Sequence, residues 1–353
     1  METITLKEYK IYNTGKFSEQ SAIENYIHKY SSVFVLTDTN TKKYCLPLVK
    51  QYLPEYSLLE IPAGETEKNI DTCKYLWNRL VELNADRKSL LINLGGGVIG
   101  DMGGFVASTF KRGFDFINIP TTLLSQVDAS VGGKLGIDFN EMKNLIGVFN
   151  NPKAIFICPE FLQTLPHIQL RSGFAEVLKH GLITDKNYWN TVKTIDLNKF
   201  HEWESVIKRS VEIKKAVVEE DMYESGLRKI LNFGHTIGHA VETLSLQNDS
   251  KPLLHGEAIA IGMICEAWLS NILNGLTENE LNEIVSVIKT HYPKYAISNI
   301  NFNQVMNIIK QDKKNVGDKF SFSLLKETGV CEFDKHVSTD LIKRSLEYYE
   351  NLS

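Results

Sequence analysis

The chain has 353 residues, of which 43% are hydrophobic and 23% charged, and this balance excludes a disordered or fibrous protein. It is too long for one small core and suits one large domain or two ordinary ones. A net charge of −4 argues against a protein built to coat nucleic acid or an anionic membrane.

The first half alternates strand and helix. Short apolar or β-branched runs at Val33–Thr37, Ser89–Leu94, Phe116–Ile119 and Ala154–Ile157 read as strands, with a helical stretch such as Lys68–Asn84 between them. Buried strands alternating with helices imply a parallel sheet. Seven of the nine prolines lie at or before Pro166, and beyond it the pattern becomes helical. Amphipathic stretches follow at Leu170–Leu182, Glu202–Val218, Ile230–Leu244, Gly256–Leu273 and Glu278–Thr290. Lys319–Leu325 and Val330–Phe333, on either side of Gly329, predict a small hairpin. The boundary is placed near residue 158. Cys45, Cys73, Cys158, Cys265 and Cys331 form no CxxC pair, so neither a disulfide framework nor a thiolate zinc site is expected. The N-terminal sequence has no apolar signal core, and no apolar run approaches the ~20 residues of a membrane span, so a soluble cytoplasmic protein is expected.

Three groups of residues carry chemistry. Ser89–Leu94 runs into Gly95-Gly96-Gly97-Val98-Ile99-Gly100-Asp101, a strand, then GxGxxG, then a helix. Such glycines let the backbone approach a pyrophosphate at a helix N-terminus, and Asp101 could accept from a ribose hydroxyl. A tight strand-to-helix turn would carry the same glycines, and the acidic residue usual about 20 positions later has no marked counterpart. His235 and His239 are four apart on an expected helix, and His255 precedes the next one. Together they point to a metal, with one carboxylate from Glu176, Asp221, Glu242 or Glu257 completing the set. Arg228, seven residues before His235, shares that face if the helix begins early enough. Lys134 after a Gly-Gly turn and Lys179 one turn after Glu176 suit a small anionic substrate, because no stacking aromatics are interleaved with them.

The blocks at 95–101, Pro120–Leu124, Gln126–Lys134, Lys143-Asn144, Ala175–Lys179, Leu231–Ala240 and His255–Ala258 resemble the 3-dehydroquinate synthase family in order and spacing. The resemblance runs from about Asp38 to Lys314. It implies an α/β N-terminal nucleotide-binding domain with a Rossmann-like parallel sheet over residues 1–158. An all-α metal- and substrate-binding domain over 159–353 would follow. The implied metal ligands, for Zn²⁺ or Co²⁺, are Glu176, His235 and His255, with His239 a substrate-contacting neighbour. The implied NAD contacts are Asp38, Gly64, Glu65, Glu67, Lys68, Gly96, Gly97, Val98, Ile99, Gly100, Asp101, Thr121, Thr122, Lys134, Lys143, Phe161, Leu162, Gln163 and Thr164. The implied substrate groups are Asp128, Lys134, Lys143, Asn144, Lys179, Lys214, Arg228, Asn232 and His239, with Lys313 or Lys314 completing the phosphate set. Arg112 would reach the phosphate site of a neighbouring subunit in a homodimer. One departure is Met222, where the family commonly has Glu after the aspartate.

The implied reaction turns 3-deoxy-D-arabino-heptulosonate 7-phosphate into 3-dehydroquinate and phosphate. Transient NAD-dependent oxidation, phosphate elimination, re-reduction, ring opening and intramolecular aldol closure follow one another, with no net use of NAD. The rivals are another sugar phosphate cyclase making an inosose or a valiolone, a metal-dependent polyol dehydrogenase, and a non-catalytic nucleotide- and metal-binding protein.

Overall fold

The computed structural model describes residues 2–19, 21–140, 142–297, 302–311 and 319–352. They fall into two compact units, residues 1–170 with 202–215 and residues 171–201 with 216–353. Against a boundary near 158, residues 159–170 thus lie with the first unit. Phe161 shows why, since it is buried in that unit's core with its ring 6.0 Å from Phe17.

The strands in chain order are β1 (Glu2–Thr5), β2 (Lys10–Asn13), β3 (Val33–Asp38), β4 (Ser57–Ile61), β5 (Leu90–Gly95), β6 (Asp115–Pro120), β7 (Lys134–Phe139), β8 (Met142–Phe149), β9 (Ala154–Ile157), β10 (Lys319–Glu327) and β11 (Val330–Ser338). Seven of them form the sheet of the first unit, in the order β1-β2-β9-β6-β5-β3-β4. All neighbours are parallel except β1 and β2. The runs are apolar throughout because both faces are covered. Val33, Val35, Leu90 and Ile92 enter one core, while Phe34, Leu36, Leu91 and Phe116 enter the other.

Chain order reverses between β3 and β5, which are neighbours although β4 lies between them in sequence. In open doubly wound sheets ligands settle beyond the carboxyl ends of strands at such a switch point. Here those ends are Asp38 and Gly95. A separate antiparallel hairpin, β7 with β8, belongs to the same unit and was not foreseen.

The second unit is largely helical. It contains Lys186–Val192, His235–Asn248, His255–Leu273, Glu278–His291, Phe302–Gln311 and Thr339–Asn351, with the expected hairpin formed by β10 and β11. His167–Thr184 and Trp203–Glu220 give residues to both units. Among the described residues, His255–Leu273 alone has the length and hydropathy of a membrane span, but most of it is buried in this unit as a core helix. It crosses the His235 helix at glycines. A Cβ on Gly262 would lie 1.9 Å from the Gly234 carbonyl oxygen, and one on Gly238 would lie 2.9 Å from Ile259 Cδ1.

Candidate active site

In the first unit the glycine loop joins β5 to the helix Gly97–Thr109, with Gly96 as a cap residue that has no side chain to satisfy the first amides. Those amides are therefore available to an anion. A Cβ at Gly100 would meet nothing within 4 Å, and this open space fits a phosphate group laid along the helix start. The recess beside it is lined by Gly95, Gly96, Gly97, Gly100 and Asp101 together with Asn93, Asn118, Ser125 and Ser130. Asn93 donates to Asn118 at 2.9 Å. Its Oδ1 receives no hydrogen bond among the described residues. Sequence reading missed Asn93, although one amide inside the apolar strand Leu90–Leu94 is itself a signal.

Lys68 organises this end of the unit. Its buried Nζ donates to Asp101 Oδ2 and to Asn144 Oδ1, both at 2.6 Å. Burial pushes the Asp101 carboxyl above its ordinary value, with Lys68 pulling the other way. Glu65 pairs with Lys143 at 3.4 Å, and Asn144 holds a backbone φ of +51° while its amide donates to Asp138 at 2.8 Å. Nearby, Lys214 pairs with Asp128 Oδ1 at 2.8 Å and donates to the Asp128 carbonyl at 2.6 Å. The expected groups Glu65, Lys68, Asp101, Lys143 and Asn144 thus converge in one network. Lys134 begins β7 and is exposed.

Other expected contacts sit in structural roles. Asp38 caps the helix Thr39–Tyr44 by accepting from the Asn40 and Thr41 amides at 2.8 Å. Thr121 pairs its amide with the Gly95 carbonyl, and the Thr122 hydroxyl lies 2.9 Å from the Ser125 hydroxyl. Gly64 has a φ of +137°, and Glu67 accepts from the Thr72 hydroxyl at 3.4 Å. Ile99, Phe161 and Leu162 are buried, while Gln163 and Thr164 are exposed. Arg112 is exposed in a turn with a φ of +69°. Lys313 and Lys314 lie outside the described residues.

In the second unit three imidazoles meet. Ring nitrogens of His235, His239 and His255 all lie within 4.8 Å of one another. Glu176 faces two of them, with Oε1 3.6 Å from His235 Nε2 and 3.8 Å from His255 Nε2. The carboxylate is fully buried, with Oε2 ion-paired to Lys179, while Oε1, the oxygen toward the imidazoles, accepts no hydrogen bond among the described residues. A buried carboxylate so placed before two imidazole nitrogens has the chemistry to hold a divalent cation. Burial, then Lys179 and the two other imidazoles, hold His235 well below its ordinary value, hence neutral. The Phe233 carbonyl lies 3.2 Å from His235 Nδ1, which places the proton there and turns the Nε2 lone pair toward Glu176.

Glu242 does the same for His255, with Oε2 3.2 Å from Nδ1. Of the four carboxylates that spacing left open, Glu176 faces the imidazoles' Nε2 atoms, and Glu242 orients one ring from behind. Glu257 pairs with Arg171, and Asp221 is occupied by a turn. Glu242→Gln is expected to weaken divalent-cation binding about 10–100-fold, read by competition with a chelator. Unchanged affinity would leave Glu242 a packing residue.

Arg228 does not share the His235 helix, which starts only at His235. Gly234 adopts a left-handed φ of +80° and Arg228 lies in the preceding 3-10 turn, Leu227–Asn232. Its guanidinium donates to the Met222 carbonyl at 2.5 Å. Asn232 donates to Glu224 at 2.5 Å. Burial opposes ionisation of Asp221, but the amides of Gly226, Ser225 and Arg228 overcome it and pull the carboxyl down to about 2. Met222 therefore serves through its backbone, and the departure at its side chain leaves this turn intact.

The model for the 3-dehydroquinate synthase N-terminal part matches residues 58–172, and that for the C-terminal part matches residues 173–315. A 3-dehydroquinate synthase of Parabacteroides distasonis is 43% identical over 326 residues, 91% of this chain and 92% of the relative. Among solved structures, 2-deoxy-scyllo-inosose synthase in complex with carbaglucose-6-phosphate, NAD⁺ and Co²⁺ superposes with a TM-score of 0.84 at 24% identity, covering 98% of this chain and 99% of that one. The 2-epi-5-epi-valiolone synthase of Streptomyces hygroscopicus subsp. jinggangensis, with NAD⁺ and Zn²⁺ bound, gives 0.82 at 23%, covering 99% and 98%.

Proposed function

The chain belongs to the 3-dehydroquinate synthase family, and from that premise we propose that it converts 3-deoxy-D-arabino-heptulosonate 7-phosphate to 3-dehydroquinate and phosphate, a step of the shikimate pathway. The observation that carries the chemical reading is the buried Glu176 carboxylate facing Nε2 of His235 and His255. When bound, NAD takes a hydride from a substrate alcohol and gives it back, and a zinc or cobalt ion lowers the pKa of that alcohol.

The unit of residues 1–170 with 202–215 is assigned to NAD, and the unit of residues 171–201 with 216–353 to the metal. Gly96, Gly97 and Gly100 receive the pyrophosphate, and the Lys68–Asp101–Asn144 network fixes the loop that approaches it. Glu176, His235 and His255 hold the cation, and His239, exposed at the rim of the same cluster, contacts substrate. Lys134, Lys143, Lys179, Lys214 and Arg228 are the cations proposed for the substrate's carboxylate and phosphate. Asp128, Asn144 and Asn232 fix hydroxyls by hydrogen bonds. The protein acts in the cytoplasm as a homodimer, Arg112 of each chain reaching its neighbour's phosphate site, a role that its exposed, strained turn supports.

The test supplies substrate, NAD⁺ and Zn²⁺ and follows phosphate, dehydroquinate and NADH absorbance, with a chelated control. Phosphate and dehydroquinate are expected without NADH build-up, and both stop on chelation. No phosphate release would move the assignment to another cyclase, tried with glucose 6-phosphate and sedoheptulose 7-phosphate. Steady NADH growth would mean a polyol dehydrogenase.

A further inference from the structure

The helix that carries His235 and His239 has no cap of its own. Its cap position is Gly234, which offers no side chain, and a Cβ there would lie 2.6 Å from Met263 Cγ. Serine or aspartate, the usual caps, therefore cannot stand at this place. The orphan amides are met from another helix. Glu266, fully buried, accepts from the Gly234 amide at 2.6 Å through Oε2 and from the Ile237 amide at 3.1 Å through Oε1.

Glu266 lies eleven residues after His255 on the helix His255–Leu273, close to three turns of 3.6, so both project from one face. That face supplies an imidazole to the cluster at its first turn and the missing cap three turns on. The glycine contacts at Gly234, Gly238 and Gly262 set how near the two helices come. The two hydrogen bonds from Glu266 tie the start of the His235 helix to one fixed point on the His255 helix. Ligand atoms must fall within a few tenths of an ångström of their ideal distances, so the register of these helices decides whether His235 and His255 meet one ion.

We propose that Glu266 is a positioning residue of the metal centre, a cap supplied from the His255 helix that fixes the register of the His235 helix before the ion binds. The proposal rests on the assignment of His235 and His255 as ligands given above.

The test compares the whole protein with Glu266→Met, which keeps the volume and removes both acceptors, and with Glu266→Gln, which keeps one. Co²⁺ is the probe, read by chelator competition and by its visible absorption, at a temperature where circular dichroism shows each protein folded. Glu266→Met is expected to lose about tenfold or more in Co²⁺ affinity with altered visible bands, and Glu266→Gln to recover part of both. A purely structural role would lower the melting temperature and leave affinity and spectrum unchanged in the folded protein. That outcome overturns the proposal.

Amide hydrogen exchange at Gly234 and Ile237 in the unaltered chain keeps the test open if Glu266→Met does not fold. Protection of both amides in the metal-free protein supports the cap, and exchange at the rate of a frayed helix end overturns it. If the unaltered chain takes up no Co²⁺ while both amides are protected, the cap stands and the metal reading fails, so the two failures are distinguishable.

Discussion

His235→Ala is expected to lose bound metal and turnover together. The substitution leaves one imidazole, His255, facing Glu176, where the unaltered chain has two. Changing a residue behind a ligand commonly costs 10–100-fold in affinity, so removing a ligand should cost more than about 100-fold and leave turnover below about 1%. Alanine is a good helix former, and His235 is the first residue of its helix, so the fold should survive. Metal content after dialysis, phosphate release and the melting temperature of the metal-free protein check this. Normal turnover in a metal-depleted His235→Ala protein would refute the ligand assignment. His239 supplies the contrast, because its ring nitrogen also lies in the cluster. If Glu176, His235 and His255 are the ligands, His239→Ala keeps the metal and loses turnover, while Glu176→Gln loses both. If the three imidazoles hold the ion, His239→Ala loses the metal.

Much of this was legible before any coordinates. β3, β5, β6 and β9 could be read because both sheet faces are covered, which makes each run continuously apolar. The β7–β8 hairpin could not. Its outer positions Phe139, Met142, Leu145 and Phe149 are exposed, and it holds Gly136 and Gly147 in mid-strand. The structure explains those glycines, since a Cβ on Gly147 would lie 2.3 Å from the Leu135 carbonyl oxygen. Local spacing paired His235 with His239 correctly as neighbours in space. It could not choose the carboxylate, because Glu176 arrives from a helix 59 positions earlier and only the tertiary fold joins them. Arg228 falls outside the His235 helix for a local reason, the left-handed Gly234 at which that helix begins. Asn93 and Glu266 share one overlooked signal, a polar residue alone in an apolar run. Such a residue is buried with partners or aimed at a ligand, and both turn up beside the proposed sites.

Lys68→Met should destabilise the protein by about 3 kcal/mol at pH 8, because it strands the Asp101 carboxylate and leaves Asn144 without its donor. This is the low end of the roughly 3–5 kcal/mol cost of breaking a buried ion pair, since Asp101 keeps some solvent contact. The pH dependence has a definite sign. Burial already raises the Asp101 carboxyl in the folded state, and losing the lysine charge raises it further. The folded variant then binds more protons than the unfolded chain, whose aspartate titrates near about 4. The penalty is complete above the raised folded value and fades as pH falls through it toward about 4. Urea unfolding at pH 8 and pH 5 should therefore show the gap to the unaltered protein narrowing at pH 5. A gap of equal size at both pH values would mean that Lys68 contributes by packing alone. Adding Asp101→Asn removes the stranded charge, so the double variant should regain most of the lost stability at pH 8. NAD⁺ affinity should stay weak in both variants, because the network that fixes the glycine loop is broken either way. Recovery of stability without recovery of NAD⁺ binding separates the burial cost of the pair from its work at the cofactor site.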